Sequence, residues 1–503
     1  MAEICVASHH GSLSDLLADP EFRELAGRDG FIIELRLDSY SDLSTVALDR
    51  ALNVLGHNVV VTYRHPAEGG RNPHATDAER LGYLQYAAHR GVRYVDIEAR
   101  TTLAKFEKCN AKVILSYHSF GGVPDLGQLL RQWRTMRETG ADIVKIACLP
   151  QMVDDSLPLL KLLIAARNAH VPLITLGMGE AGFWTRVAGP LFGAPFTYAR
   201  GEGSPGTAPG QPTWRELEEL YRYRDIQPGW PVYAVIGNPI GHSLSPLLHN
   251  TALRLLGMDG VYIPFKVESD PLEFVVDFAP LGLKGLSVTI PHKETIAAIC
   301  TELDPVAKAV GAVNTLVLRP DGSWQGLNTD VAAAMDSLEA VGGPVAGKKV
   351  AILGAGGAGK ALAHGAKMRG AAEVFLFDVA RDRAEALAKA VGATVVAASE
   401  LVQRKVDVVV NTTPVGMHPN VQQSPLEKEQ IPPGSVVFDV VYNPLRTQFL
   451  KWAEERGCKT VSGLSMFVRQ GVRQFELWTG RCPPIPEVEK VLLETLKKQQ
   501  AHK

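Results

Sequence analysis

The sequence predicts an α/β chain built as an N-terminal (β/α)8 barrel followed by a two-lobed α/β half, one lobe of which is of Rossmann type. Three observations predict it. Eight short apolar runs alternate with longer amphipathic stretches over the first 220 or so residues. A Pro/Gly cluster, Gln227-Pro228-Gly229-Trp230-Pro231, then breaks the pattern. Further on, a strand-like run leads straight into Gly354-Ala-Gly-Gly-Ala-Gly359 and a helical stretch.

The eight runs are Ile4–His9, Phe31–Asp38, Asn58–Arg64, Tyr94–Ala99, Lys112–His118, Asp142–Ala147, Pro172–Met178 and Pro195–Ala199. They are rich in Val, Ile and Leu, as strands covered on both faces must be. Helical patterns such as Asp77–Arg90 and Asp125–Thr139 lie between them. Closure into a barrel is one reading and an open doubly wound sheet the other, because periodicity alone does not require closure. The polar segment Arg200–Thr213 reads as a loop after the eighth strand, and Trp214–Arg224 as a helix. The second half restarts with a strand at Val232–Gly237 and is interrupted at Gly342–Gly347. Lys348–Leu353, Lys360–Arg369 and Glu373–Phe377 then form a βαβ unit, and Ile485–Gln499 reads as a terminal helix. The expected domains are a barrel over 1–225, a first lobe over 231–341 with 480–503 packing back on it, and a second lobe over 342–479.

With 503 residues the chain is too long for one ordinary core. Its net charge of −2 supplies no positive field for nucleic acid or an anionic membrane. No run approaches the roughly 20 apolar residues of a membrane span. The start, MAEICVASHHGSL, lacks the pattern of a secretory signal. The cysteines at 5, 109, 148, 300, 458 and 482 form no close pair. A cytoplasmic protein with reduced thiols is expected. No metal is implied, since His9 and His10 lack carboxylate or cysteine company. Small-molecule ligands are expected, and oligomeric state is not legible.

In a barrel, chemistry sits at the C-terminal ends of the strands. The polar residues that break the apolar runs fall there: Glu34, Arg36, Arg64, Asp96, Glu98, His118 and Lys145. Lys145 stands inside the otherwise apolar Asp142-Ile-Val-Lys-Ile-Ala-Cys148. Desolvation favours a neutral amine, and a neutral amine attacks a ketone to form a Schiff base. His118 has the intrinsic basicity of a general base. The plainer alternatives are a structural histidine, a lysine that snorkels to water, and a Glu34/Arg36 pair that binds only its neighbours.

With Glu34-Leu-Arg-Leu-Asp38, Thr62-Tyr-Arg64, Glu68-Gly-Gly70, Asp96-Ile-Glu98, Ser116-Tyr-His118, Val144-Lys-Ile146, Gly177-Met-Gly179, Arg186 and Ala208-Pro-Gly-Gln211 in order, the first half resembles type I 3-dehydroquinate dehydratases. The resemblance implies that Lys145 forms the Schiff base and that His118 moves the protons with support from Glu68. It also implies that Glu34, Arg36, Arg64, Arg186, Thr207 and Gln211 hold the hydroxyls and carboxylate. Ser119 and Thr207 depart from the usual residues, and Thr207 keeps a hydroxyl.

In the second half, Gly354, Gly356 and Gly359 form G-x-G-x-x-G in a strand–turn–helix setting, a dinucleotide signature. A plain glycine-rich turn is the alternative. Asp378 ends the next strand, where a carboxylate accepts from the ribose 2′-hydroxyl and repels a 2′-phosphate. Together with Val235–His249, Ser287-Val-Thr289-Ile-Pro-His-Lys293, Gly311–Asn314, Asn328-Thr-Asp330, Asn411–Met417, Asp439–Pro444 and Met466–Gln470, this half resembles shikimate dehydrogenases. The resemblance implies a two-lobed dehydrogenase with a Rossmann-type dinucleotide-binding lobe. By it, Ser243, Ser245, Thr289, Asn314, Tyr442 and Gln470 bind substrate, and Lys293 and Asp330 transfer the proton. Gly354, Gly356, Gly357, Gly359, Asp378, Arg383 and Gly463 form the cofactor set. The plain alternatives make Ser243 and Ser245 turn or cap residues, Asp330 a helix cap and Lys293 a surface lysine. Members that use NADP carry Asn-Arg-Thr where this chain has Asp378-Val-Ala380. Asp378 therefore points to NAD, while Arg381 and Arg383 keep NADP open. A catabolic NAD-dependent quinate/shikimate dehydrogenase and a ligand sensor without activity are the competing functions. Intact Lys145, His118, Lys293 and Asp330 argue against the sensor.

Overall fold

A computed structural model describes residues 1–101 and 106–501. The first eight strands are β1 (Glu3–Ala7), β2 (Phe31–Arg36), β3 (Val59–Thr62), β4 (Tyr94–Glu98), β5 (Lys112–Ser119), β6 (Ile143–Cys148), β7 (Leu173–Gly177) and β8 (Phe196–Arg200). All paired neighbours run parallel, in the order β7-β6-β5-β4-β3-β2-β1-β8. Sequential order with β8 laid on β1 is a barrel, not a doubly wound sheet. β7 and β8 lie side by side without a hydrogen-bonded ladder among the described residues, so the ring is nearly closed.

The barrel interior follows from the two-residue period of a strand. Cys5, Ile32, Val60, Tyr94, Ile114, Ile143, Ile174 and Phe196 form its apolar packing. Stepping two residues toward each C-terminus from these positions reaches Glu34, Thr62, Asp96, Ser116, Lys145, Leu176 and Tyr198, all buried. A dry plug therefore carries a polar layer on one end only, and that asymmetry places the chemistry.

The predicted helix at Trp214–Arg224 is shorter than its sequence suggests. After Trp214 and Arg215 it widens into a π-type turn at Glu216–Leu220, and Arg222 adopts a left-handed φ of 50°.

The second half begins with β9 (Val232–Gly237) and β10 (Val261–Lys266), a parallel pair. They belong to a six-stranded mixed sheet of order β10-β9-β11-β13-β14-β12. Its other strands are β11 (Leu283–Val288), β12 (Cys300–Leu303), β13 (Thr315–Leu318) and β14 (Trp324–Leu327). A parallel sheet of order β17-β16-β15-β18-β19-β20 follows, comprising β15 (Lys349–Leu353), β16 (Glu373–Phe377), β17 (Thr394–Val395), β18 (Val408–Asn411), β19 (Val436–Asp439) and β20 (Lys459–Ser462). Order reversal about β15 is the Rossmann pattern, with the switch point between β15 and β18.

Contacts divide the chain into two compact units, 1–243 with 259–283, and 244–258 with 284–503. In the first unit, buried Trp184 lies 6.3 Å from the Phe265 ring and 5.7 Å from Phe278. This aromatic packing accounts for residues 259–283 grouping with the barrel. Among the described residues no helix is long and apolar enough to cross a membrane.

Candidate active sites

Glu34, Arg36, Arg64, Glu68, His118, Lys145, Arg186, Thr207 and Gln211, scattered over 178 positions of sequence, all line one cavity of about 140 Å³ at the C-terminal end of the barrel. Such a space suits one small ring compound rather than a dinucleotide. Lys145 is 4% exposed, so it does not snorkel. Its Nζ donates to Asp96 Oδ2 at 3.0 Å and sits 3.9 Å from the centre of the Tyr198 ring. Asp96 also takes Arg64 Nη2 at 3.0 Å and the Ser116 hydroxyl at 2.6 Å. Burial opposes charge on Asp96, but Arg64 and Lys145 outweigh it and hold the carboxyl far below the usual range.

His118 Nδ1 lies 2.9 Å from Glu68 Oε2. Burial, then Arg64 and Lys145, push the imidazole well below its ordinary basicity. Burial raises Glu68 to about 7. The ring is thus neutral near pH 7 and ready to accept a proton, with Glu68 fixing its orientation. Because His118 charges only below the ordinary histidine range, the acidic limb of kcat/KM for a reaction that uses it as a base is expected below pH 6.5. A pH–rate series on the free enzyme checks this. The stability terms have opposite signs. The raised Glu68 contributes stability present below pH 4.5 and lost as pH rises through 7. The lowered His118 destabilises the fold as pH falls below 6.5.

Arg186 is 1% exposed, and its Nη1 donates to the Tyr198 carbonyl at 3.3 Å. Among the described residues its Nε has no partner, and burial lowers the guanidinium to about 10. A buried cation without a carboxylate is costly unless a ligand supplies the anion. Arg186→Met is expected to raise KM for a carboxylate substrate by about 100-fold, from the 2–5 kcal/mol typical of a truncated buried charge contact. The same change should raise Tm by roughly 2–4 °C, since relief of about 1 kcal/mol of desolvation shifts a domain of this size by that much. Steady-state kinetics and thermal melts check the two halves.

Other polar residues of the layer are internally committed. Glu34 accepts from Thr62 at 2.8 Å, and Arg36 grips Asp38 through Nε and Nη2 at 3.0 and 2.9 Å. The Gln211 amide oxygen accepts from the backbone N–H groups of Thr207 and Ala208 at 2.7 and 3.2 Å. Gln211 thereby shapes the loop that carries Thr207. Sequence reasoning named Asp96 among the strand-end polar residues but gave it no role, and it overlooked Tyr198. The two-residue step from Phe196 to Tyr198 was the available signal.

In the second unit, Lys293 Nζ donates to Asp330 Oδ2 at 2.6 Å. Lys293 follows β11, and Asp330 is the first residue of the helix Asp330–Gly342. Asp330 does not cap that helix. Asn328 Oδ1 accepts from the N–H groups of Asp330 and Val331 at 3.1 and 3.3 Å, which leaves the Asp330 carboxylate to Lys293. Asn314 spends its amide on Thr329 and Thr315, so it acts as a brace within the described chain. Ser245 opens the helix Ser245–Leu255 and is buried, and half-buried Thr289 follows β11. The Tyr442 ring packs 5.0 Å from Phe467, and Gln470 Nε2 donates to the Phe467 carbonyl at 2.9 Å. In the first unit, Ser243 lies in the loop after β9 and its N–H donates to Ile240.

The glycine loop fits a dinucleotide. Gly354 has φ +102°, and a Cβ on Gly359 would meet the Gly354 carbonyl oxygen at 2.1 Å. Around Gly356 and Gly357 there is open space, so backbone N–H groups at the start of the helix Gly357–Met368 can be approached closely. That helix begins three residues before the predicted Lys360. Gly463 opens the helix Gly463–Thr479, where a Cβ would strike the Val440 carbonyl oxygen at 2.3 Å. Asp378 has work inside the protein. Its Oδ2 accepts from Ala355 N–H in the glycine loop at 2.7 Å, and its Oδ1 from Ala380 N–H at 2.8 Å. Arg381 is exposed and paired with Glu385, and Arg383 is exposed on the same helix. Outside both sites, exposed His89, Glu107 and Cys109 stand close together at the opposite end of the barrel from the cavity.

Residues 4–228 match the type I 3-dehydroquinase family model, and 235–316 that of the shikimate dehydrogenase substrate binding domain. Residues 463–493 match the shikimate 5′-dehydrogenase C-terminal domain. Residues 349–443 match a model described as NADP oxidoreductase, coenzyme F420-dependent. The bifunctional 3-dehydroquinate dehydratase/shikimate dehydrogenase of Arabidopsis thaliana, a chloroplastic protein, is 36% identical over 510 residues. That alignment covers 96% of this chain and 82% of the relative. The chain belongs to the bifunctional 3-dehydroquinate dehydratase/shikimate dehydrogenase family. It is a lyase and an oxidoreductase of the shikimate pathway. A shikimate dehydrogenase (NADP(+)) from Moorella thermoacetica is 40% identical over 274 residues, covering 52% of this chain and 92% of that protein. A shikimate dehydrogenase solved with NADP+ superposes with TM-score 0.51 at 35% identity, over 54% of this chain and 97% of its own. The Listeria monocytogenes enzyme, solved with shikimate and NAD, gives 0.50 at 33%, over 53% and 98%.

Proposed function

We propose that the barrel dehydrates 3-dehydroquinate through an imine on Lys145 and that the second unit reduces the product with Lys293 and Asp330. The carrying observation is the convergence of Lys145, His118 and the unpaired Arg186 on one cavity. His118 takes a proton from the Lys145 ammonium, the amine adds to the ketone carbon, and the carbinolamine, its hydroxyl protonated by His118, loses water to give an iminium. The iminium draws electrons from the adjacent C–H bond, and His118 takes that proton at C2. The resulting enamine expels the β-hydroxyl, which leaves as water with the proton from His118. A second water hydrolyses the product imine and frees Lys145. Arg186 is the carboxylate anchor, and Glu34, Arg36, Arg64, Thr207 and Gln211 set the hydroxyl positions.

For the reduction, the glycine loop would hold a nicotinamide dinucleotide, which would supply the hydride. The Lys293–Asp330 pair holds the proton for the substrate oxygen, with Ser245, Thr289, Tyr442 and Gln470 around the ring. The loop at Gly354–Gly359 and Asp378 supports NADH ahead of NADPH, because a fixed carboxylate there opposes a 2′-phosphate. The NADP-named relatives and Arg383 support the other coenzyme. The domain reading stays a barrel over 1–225, a substrate lobe over 231–341 and a dinucleotide lobe over 342–479. The free cysteines support a reducing, cytoplasmic setting.

Incubation of the intact protein with 3-dehydroquinate and either NADH or NADPH tests the scheme. Shikimate formed at least about tenfold faster with NADH is expected. Faster turnover with NADPH overturns the reading of Asp378. Accumulated dehydroshikimate with neither coenzyme consumed overturns the role of the Lys293–Asp330 pair.

A further inference from the structure

We propose that Tyr198 is a catalytic residue of the dehydratase, its ring face stabilising the positive charge that returns to the Lys145 nitrogen when the iminium forms. This rests on the imine reading of Lys145. Tyr198 is 3% exposed, lies on the inner face of β8 and lines the substrate cavity. Lys145 Nζ stands 3.9 Å from its ring centre, with Asp96 Oδ2 at 3.0 Å as its other neighbour. An aromatic quadrupole attracts a cation over its face, most strongly where water is excluded.

The ring matters because of what imine formation does to hydrogen bonding. An ammonium carries three N–H donors and an iminium only one. Asp96 is shared with Arg64 and Ser116 and can keep one N–H at most. The attraction to the ring depends on charge rather than on N–H groups, so it acts again as soon as the nitrogen regains its charge. It then favours the iminium over the neutral carbinolamine that precedes it. As the carbinolamine loses its hydroxyl, which leaves as water with the proton that His118 took from the Lys145 ammonium, the nitrogen lone pair becomes the C=N bond and the positive charge appears beside the ring.

The hydroxyl of Tyr198 has no hydrogen-bond partner among the described residues. The role therefore belongs to the ring face, and phenylalanine should serve equally well. That separates the proposal from a structural role for the phenol.

The test uses the full-length protein with Tyr198→Phe, then 4-fluoro- and 3,4,5-trifluorophenylalanine at the same position, and Tyr198→Leu. Dehydratase kcat, KM and the adduct trapped by sodium borohydride with 3-dehydroquinate are measured. Tyr198→Phe is expected within about twofold of wild type. Each step of fluorination, which drains the ring face, should lower kcat and the trapped imine with little change in KM. Tyr198→Leu should cost about 10- to 30-fold in kcat, the scale of a desolvated cation–π contact. Far-UV circular dichroism and the thermal melt of each variant report folding, and the fluorinated series decides if the leucine variant does not fold. Fluorinated variants as fast as Tyr198→Phe would overturn the proposal, as would a phenylalanine variant as slow as leucine. If wild-type protein traps no adduct while active, the imine reading itself fails, whatever the Tyr198 variants do.

Discussion

Lys145→Ala is expected to abolish dehydration of 3-dehydroquinate, by on the order of 10⁴-fold or more, while the dehydrogenase keeps its rate. At about 1.36 kcal/mol per decade this is over 5 kcal/mol of barrier. The size follows from what is lost. A ketone is a poor electron sink beside an iminium, and among the described residues no other lysine lines the cavity. The truncation also leaves Asp96 with Arg64 and Ser116 but without its third partner. Arg64 keeps that carboxylate paired, so the barrel should still fold. Product formation by absorbance, with dehydrogenase activity followed separately on shikimate, is the measurement. Equal loss of both activities would mean that the two sites are not independent.

Asp330→Asn is the mirror experiment. Shikimate oxidation and dehydroshikimate reduction should fall by about 10²–10⁴ in kcat, the usual worth of a positioned acid–base group. The 2.6 Å ion pair is what holds the Lys293 ammonium over its site, and an amide neither balances its charge nor relays its proton. Asn328 continues to cap the helix, so the variant should fold normally. KM should move far less than kcat, because the ring is bound by other groups. A variant with wild-type kcat would remove Asp330 from the chemistry and leave it a structural partner of Lys293.

The legibility of the two halves differed for physical reasons. Barrel strands are covered on both faces, so each polar residue within a run stood out and pointed inward with its parity. Lys145, His118 and Arg64 could be chosen that way before any partner was known. Asn314 and Asp378 could not be read so. Both sit at turns, where a side chain is as free to satisfy local backbone as to meet a ligand. Asn314 spends its amide on Thr315 and Thr329, and Asp378 ties Ala355 to Ala380. The helix at Trp214 fell short because Tyr221 and Tyr223 are both buried, which pulls the chain out of helical spacing after Leu220.

Period, order and motif spacing by themselves determined the eight-stranded barrel, the Rossmann sheet, the glycine loop and the residue types at both sites. Each of these depends on local stereochemistry repeated along the chain, and local stereochemistry is written in consecutive residues. Only the tertiary structure decided which groups meet across strands: Lys145 with Asp96 and Tyr198, His118 with Glu68, Lys293 with Asp330, and Arg186 with no carboxylate among the described residues. Those pairings span 2.6 to 3.9 Å between residues up to 53 positions apart in sequence (Lys145 and Tyr198). Spacing along a chain fixes the face a side chain takes, whereas its partner is fixed by how the strands are laid side by side.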